Sequence, residues 1–164
     1  MPITLQWVDS CVGAENVIKI QTPAGQLVLH SRQGVICKAD WELHDSFCSQ
    51  DHELQRQFKR YWQDTDTLMH IKLLKQGSAY RQRVWAELGN IPFGETLTYS
   101  GLVQKIGSSA RAVGNACRDN PYPVIIPCHR VVSVSGMGGY CGQTDGDFMA
   151  IKRKLLAFEA AHKQ

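Results

Sequence analysis

The sequence predicts an α/β protein of the α+β kind in two parts: a small β-sheet with one helix over residues 1–76, and a mostly helical part over residues 77–164. Three observations carry this reading. Short β-branched runs bounded by Pro and Gly fill the first part. Helical periodicity takes over after Gly77-Ser78. Two short capped helices around a glycine then outline a helix-turn-helix.

In the first part, Val17-Ile18-Lys19-Ile20 and Gln26-Leu27-Val28-Leu29 read as strands. They flank Thr22-Pro23-Ala24-Gly25, where Pro and Gly suit a reverse turn. Gly34-Val35-Ile36-Cys37 supplies a third strand. The spacing then predicts a helix over 51–63, with Leu54, Phe58, Tyr61 and Trp62 on the face that packs on the sheet. No chemistry is visible here, and His30, His44, His52 and His70 read as surface or packing residues.

In the second part, Ser78 caps a helix running to about Leu88, with Tyr80, Val84 and Leu88 inward and Gly89 past its end. Thr98 caps a short helix bearing Leu102, Val103 and Ile106, which Gly107 ends. Ser108 or Ser109 starts the next, which stops before Asn120-Pro121-Tyr122-Pro123. That second helix is built of small residues around Arg111, with Ala112 and Gly114 in its middle. A glycine inside a helix costs about 1 kcal/mol relative to alanine, so close approach of a partner or of another helix is expected there. Residues 135–146 hold five glycines and form a loop that suits the wall of a site, without a phosphate-cradling pattern. A last helix starts near Asp147 with Phe148, Ile151, Leu155 and Phe158 inward, and Glu159 beside that stripe.

Composition narrows the function classes. With 43% hydrophobic and 20% charged residues the chain reads as globular. No stretch approaches the roughly 18 apolar residues of a membrane span. Met1-Pro2-Ile3-Thr4 begins no signal peptide, so a cytoplasmic location is expected, or a nuclear one in a eukaryote. The six cysteines form no C-x-x-C pair and read as free thiols; the spacing of Cys11, Cys37 and Cys48 does not support a zinc site. Residues 1–76 carry eight Lys and Arg against nine Asp and Glu, whereas residues 77–164 carry ten against six. The positive excess of the second part suits a polyanionic partner.

The same part carries Pro127-Cys128-His129-Arg130 at the end of the apolar run Val124-Ile125-Ile126, which reads as a buried strand. A free thiol near pKa 8.5 is only a few per cent ionised at neutral pH, so a cysteine beside a histidine points to a nucleophile served by a base.

The segment from Arg111 to Val132, with Val84-Trp85, Ile91 to Thr96, Tyr99, Gly139-Tyr140, Leu155-Leu156 and Glu159, resembles the active-site region of the O6-alkylguanine-DNA alkyltransferases. The specific likeness covers about residues 77–160. It implies a ribonuclease-H-like N-terminal domain and direct-reversal repair of double-stranded DNA by a monomer that needs no cofactor and no metal. The alkyl group of O6-alkylguanine, and less well of O4-alkylthymine, would move irreversibly to Cys128. By the same resemblance His129 takes the thiol proton through a water, Glu159 orients His129, and Asn120 holds the segment. Tyr99 donates to the departing guanine, Arg111 fills the space of the flipped nucleotide, and Tyr140 lines the alkyl pocket. Ser109, Ala112, Gly114 and Arg118 are expected against DNA, and Lys105 and Lys152 to Lys154 at phosphates. Departures from the family pattern stand out: a turn between Tyr99 and Arg111 shorter by a couple of residues than in many relatives, so that the two helices meet at a slightly different angle; about five extra residues between Tyr140 and Lys152; and Cys141 where many members have Ser or Ala. Cys141 reads as pocket wall.

Two rival readings remain at this level. A non-catalytic damage sensor or helix-turn-helix regulator would use the same flipping pocket without transfer, and the presence of Cys128 argues against it. A cysteine hydrolase would need a direct Cys128–His129 dyad, which adjacent residues of an extended segment disfavour.

Overall fold

The computed structural model describes residues 3–44 and 51–163. The chain divides into two compact units, Met1–Gln76 and Gly77–Gln164.

In the N-terminal unit, β2 (Glu15–Thr22), β3 (Gly25–Arg32) and β4 (Val35–Glu42) form an antiparallel meander. The β2–β3 turn is closed by Thr22, whose hydroxyl accepts from the Ala24 amide (3.1 Å) and donates to the Gly25 carbonyl (2.8 Å). The β3–β4 turn places Gln33 and Gly34 at positive φ (49° and 81°), as a two-residue hairpin turn requires. Two further strands, β1 (Ile3–Val8) and β5 (Met69–Leu74), pair parallel, and β5 also pairs parallel with the start of β4. The sheet order is therefore β1-β5-β4-β3-β2. Between β4 and β5 runs α1 (Glu53–Gln63), capped by His52, whose ring accepts from the Leu54 amide while Gln55 returns to the His52 amide. It buries Phe58 and Tyr61 and packs against β2. The first two expected strands lie inside longer ones, the third begins at Val35 because Gly34 belongs to the turn, and β1 and β5 are additions to the expectation.

The C-terminal unit contains α2 (Ala79–Gly89), α3 (Tyr99–Ile106), α4 (Ala110–Arg118) and α5 (Asp147–Ala161). A two-residue parallel pair joins β6 (Leu97–Thr98) to β7 (Val131–Val132). Each of the first three helices starts on a side-chain cap: Ser78, Thr98 and Ser109 accept from the amides of Arg81, Gly101 and Ala112. α2 runs one residue further than expected, through Gly89, with Asn90 as its C-cap. Gly107, at φ 73°, ends α3 in the left-handed conformation, so three residues separate α3 from α4. The indole of Trp85 donates to the Ala116 carbonyl (2.8 Å) and ties α2 to α4.

Two expectations are corrected here. The run Val124-Ile125-Ile126 is no strand. Pro123 and Pro127 lack the amides a ladder needs, and the Ile126 amide instead donates back to the Tyr122 carbonyl (2.9 Å), closing a turn in which Val124 has φ 75°. On α5 the buried set is Met149, Ile151, Lys152, Leu155 and Glu159, while Phe148 and Phe158 are half-buried.

Candidate active site

Cys128, His129 and Arg130 form one short 3-10 turn, and all three are buried. Its entry is set by Pro127, whose φ −81° and ψ 63° make an inverse γ-turn closed by the Cys128 amide on the Ile126 carbonyl (2.8 Å). Asn120 fixes the preceding residues from both ends of its amide: Nδ2 donates to the Ile126 carbonyl (2.8 Å), and Oδ1 accepts from the Tyr122 amide (2.9 Å). The reactive segment is therefore a proline-shaped turn rather than an extended one. The earlier objection to a dyad, drawn from strand geometry, does not apply to it.

Glu159, on α5, is the hub of the buried charges. Its carboxylate accepts from His129 Nε2 (2.6 Å), from Arg130 Nε (2.8 Å) and Nη2 (3.2 Å), and from the Gly94 amide (3.4 Å). Burial pushes its pKa up, but the hydrogen bonds and charges of His129 and Arg130 outweigh that and bring it down to about 2. Arg130 Nη1 donates to the Ile91 carbonyl (2.7 Å), and the guanidinium lies over the Phe93 ring, 5.6 Å from its centroid.

Burial drives the His129 pKa down, Arg130 and Lys152 add to that, and the pull of Glu159 does not reverse it. The ring is thus neutral at pH 7. With Nε2–H given to Glu159, Nδ1 carries the lone pair, and among the described residues this buried atom has no hydrogen-bond partner. Such an atom is an available proton acceptor. Burial also raises the Cys128 pKa, opposed by a hydrogen bond from Asn120 and by the charge of Lys152, so the resting group is a thiol.

Lys152 was expected at a phosphate, and the structure overturns this: the residue is 0% exposed. Its ammonium donates to three backbone carbonyls, those of Val131 (2.7 Å), Met137 (2.6 Å) and Gly139 (2.8 Å). Every one of its protons has an acceptor. Burial lowers its pKa to about 8, while Cys128 and Cys117 pull it up, so most of the charge remains at pH 7. Sequence reasoning gave Arg130 no role of its own and misplaced Lys152. The signal for Lys152 was its place on the i, i+3, i+4 stripe with Phe148, Leu155 and Glu159.

A cavity of ≈ 170 Å³ opens above the thiol, lined by Tyr99, Gly114, Cys117, Cys128, Tyr140 and Cys141, with Arg118 at its rim. A cavity of about 150 Å³ accepts a benzene ring, so one flat ring system fits the scale. Burial raises the Tyr99 pKa strongly, and the Cys117 and Cys128 thiols add to it, so its phenol stays a donor. Gly138, at φ 71°, makes room for that phenol: a Cβ there would meet the Tyr99 ring at 2.8 Å. Burial pushes the Cys117 thiol up to about 12.

On α4 no heavy atom of a neighbouring element lies within 4 Å of a Cβ placed at Gly114. Helix-on-helix packing therefore does not account for this glycine. Arg111 and Ser109 are exposed and Ala112 is half-buried. The structure brings Tyr99, Gly114, Arg118, Cys128, Tyr140 and Cys141 around the cavity, with Asn120, His129 and Glu159 behind the thiol. Ser109, the N-cap of α4, and Arg111 and Ala112 on its first turn stand outside the cavity lining. Cys48 lies outside the described residues, among which no cluster of three or more metal-ligating side chains occurs.

A family model described as the DNA-binding domain of 6-O-methylguanine DNA methyltransferase matches residues 79–161. This chain belongs to that family. The match spans the whole of the site, from Tyr99 to Glu159. A methylated-DNA–protein-cysteine methyltransferase from Archaeoglobus fulgidus is 38% identical over 129 residues, covering 77% of this chain and 86% of that protein. One from Metallosphaera sedula is 35% identical over 148 residues, covering 85% and 90%. The crystal structure of the Mycobacterium tuberculosis O6-methylguanine methyltransferase superposes with a TM-score of 0.72 at 29% identity, over 92% of this chain and 96% of that one. The mycobacterial protein in complex with DNA gives 0.70 at 30% identity, over 88% and 93%. The mixed α/β architecture is thus shared with the mycobacterial structures.

Proposed function

We propose that this protein repairs DNA by taking the alkyl group of O6-alkylguanine, and less readily that of O4-alkylthymine, onto Cys128, once per molecule. The observation that carries the reading is the buried pair of Glu159 and His129, whose Nδ1 has no hydrogen-bond partner among the described residues, next in sequence to a buried thiol that lines a ring-sized cavity. His129 Nδ1 accepts the Cys128 proton through one water, and the ionised Glu159 stabilises the imidazolium that results. The sulfur then attacks the alkyl carbon in line. A C–S bond forms as the C–O6 bond breaks, and the electron pair leaves with guanine. The Tyr99 phenol donates toward that leaving base, and burial suits it to the task by keeping it protonated. The Lys152 charge lowers the cost of the anionic sulfur.

The target carbon lies inside the base stack, so the nucleotide must turn out at a cost of a few kcal/mol. Arg111, exposed on the first turn of α4, fills the vacated space, and the bare flank of the helix at Gly114 admits the groove. Ser109, Ala112 and Arg118 then border the DNA, whose backbone Lys105, Arg153 and Lys154 meet at phosphates. Residues 77–164 form the DNA-binding and alkyl-acceptor domain, residues 1–76 the supporting one. The protein acts as a monomer in the cytoplasm, or in the nucleus of a eukaryote. The product is a thioether, which has no leaving group suited to hydrolysis.

Intact-mass analysis after exposure to a duplex bearing O6-methylguanine tests this. One methyl mass on the Cys128 peptide is expected. Repair well beyond one lesion per molecule, or methylation elsewhere, overturns it.

A further inference from the structure

Two of the remaining thiols stand apart from this chemistry. Cys11 lies in the connection between β1 and β2, and Cys37 is the third residue of β4. Both are partly exposed, and their sulfurs are 2.9 Å apart. The connection is held in place next to them: Arg32 Nη1 donates to the Gly13 carbonyl (2.7 Å), and Gln76 Nε2 donates to the Cys37 carbonyl (2.6 Å). A zinc ion shared by two thiolates would keep them about 3.8 Å apart, given Zn–S bonds of about 2.3 Å in a tetrahedral site. The observed separation is shorter than that and within about 1 Å of a disulfide bond, which is near 2.05 Å.

We infer that Cys11 and Cys37 are an oxidisable dithiol, a modification site that a low-molecular-weight disulfide closes into a cross-link within the N-terminal unit. Either thiol can begin, because the two sulfurs stand 2.9 Å apart. When Cys11 begins, its thiolate attacks one sulfur of the oxidant, forms a mixed disulfide and releases one small thiol. Cys37 gives its proton to solvent and attacks the Cys11 sulfur, releasing the second small thiol. The two protein thiols lose two electrons and two protons, and the oxidant is reduced to two thiols. The cross-link closes a loop containing β2 and β3, and a dithiol reductant reopens it.

The test uses the full chain in its folded state, treated with oxidised glutathione at neutral pH, trapped with N-ethylmaleimide and digested without reduction. A peptide pair joining Cys11 to Cys37 is expected, with two fewer maleimide adducts per molecule and full recovery after dithiothreitol. In Cys37→Ser the expected product is a glutathione adduct held on Cys11. If Cys11 and Cys37 stay as alkylatable as in untreated protein, the inference fails. It fails equally if the cross-link joins other cysteines, or if the Cys11 adduct persists in the wild-type chain without closing.

Discussion

The N-terminal unit buries Ile18, Ile20, Leu27, Leu29, Ile36, Ile71 and Leu73 around a sheet, with Gln26 and Ser31 as its fully buried polar residues among those described. The C-terminal unit, of similar size, buries His129, Arg130, Lys152 and Glu159. Charges taken out of water cost several kcal/mol each before their partners compensate. The first unit therefore spends its interior on cohesion and the second on chemistry. Substitutions should separate accordingly.

The largest effect is expected from Cys128→Ala, which removes the acceptor sulfur and nothing that holds the fold. Lesion removal should be abolished while binding to the lesion duplex, followed by fluorescence anisotropy, stays within a few-fold of wild type. Next comes Glu159→Gln. It leaves the Arg130 guanidinium buried without its counter-charge and removes the support of the His129 imidazolium. Single-turnover transfer should slow about 100-fold, and stability in urea should fall by about 3–5 kcal/mol. Wild-type stability in this variant would show that the buried cluster is no structural hub.

Lys152→Met keeps the length of the side chain and strips three carbonyls of their donor. A loss of roughly 3 kcal/mol is expected, since each orphaned buried group costs about 1–3 kcal/mol before local rearrangement. Transfer should slow about tenfold, because the Cys128 thiol rises further without the ammonium. Leu29→Ala, in the sheet, is the contrasting case: about 2–5 kcal/mol of stability lost, with the transfer rate of the folded protein changed less than about twofold. A comparable slowing in this variant would erase the division between the units.

The smallest effect is the response to acid. Because burial lowers the His129 pKa, the base stays neutral below the usual 6.5, and the transfer rate should hold as pH falls through 6.5. A rate that halves near pH 6.5 would mark an ordinary imidazole. Glu159 follows the depressed-acid rule. Its stabilising contribution is complete above the ordinary value of 4.5 and disappears as pH falls toward about 2, which an acid titration followed by circular dichroism reads directly.

Local signals made much of this legible. Ser78, Thr98 and Ser109 each cap where a capping residue precedes an apolar period, and Gly107 ends α3 because it alone accepts the left-handed conformation without strain. Cys128 and His129 stood out by chemistry. What escaped was set by tertiary context. β1 and β5 owe their pairing to residues more than sixty positions apart, although Leu5 and Trp7, and Met69, Ile71 and Leu73, already alternate with polar neighbours. The run ending at Ile126 looks like a strand because apolar content is shared by strands and buried turns; the two flanking prolines were the discriminating mark. Lys152 was misplaced because a lysine is assigned to solvent by default, and only its stripe position told otherwise.

One consequence follows from how Lys152 grips the loop. It grasps main-chain oxygens of Val131, Met137 and Gly139, groups that every residue type possesses. The cavity-lining side chains of Cys141, Gln143 and Thr144 can therefore be exchanged without cutting that anchor. The same helix keeps Glu159 on its imidazole meanwhile. A library randomised at those positions would vary which adducts are admitted while preserving the proposed proton relay, and this makes the extra residues before Asp147 the natural place to retune tolerance for bulky lesions.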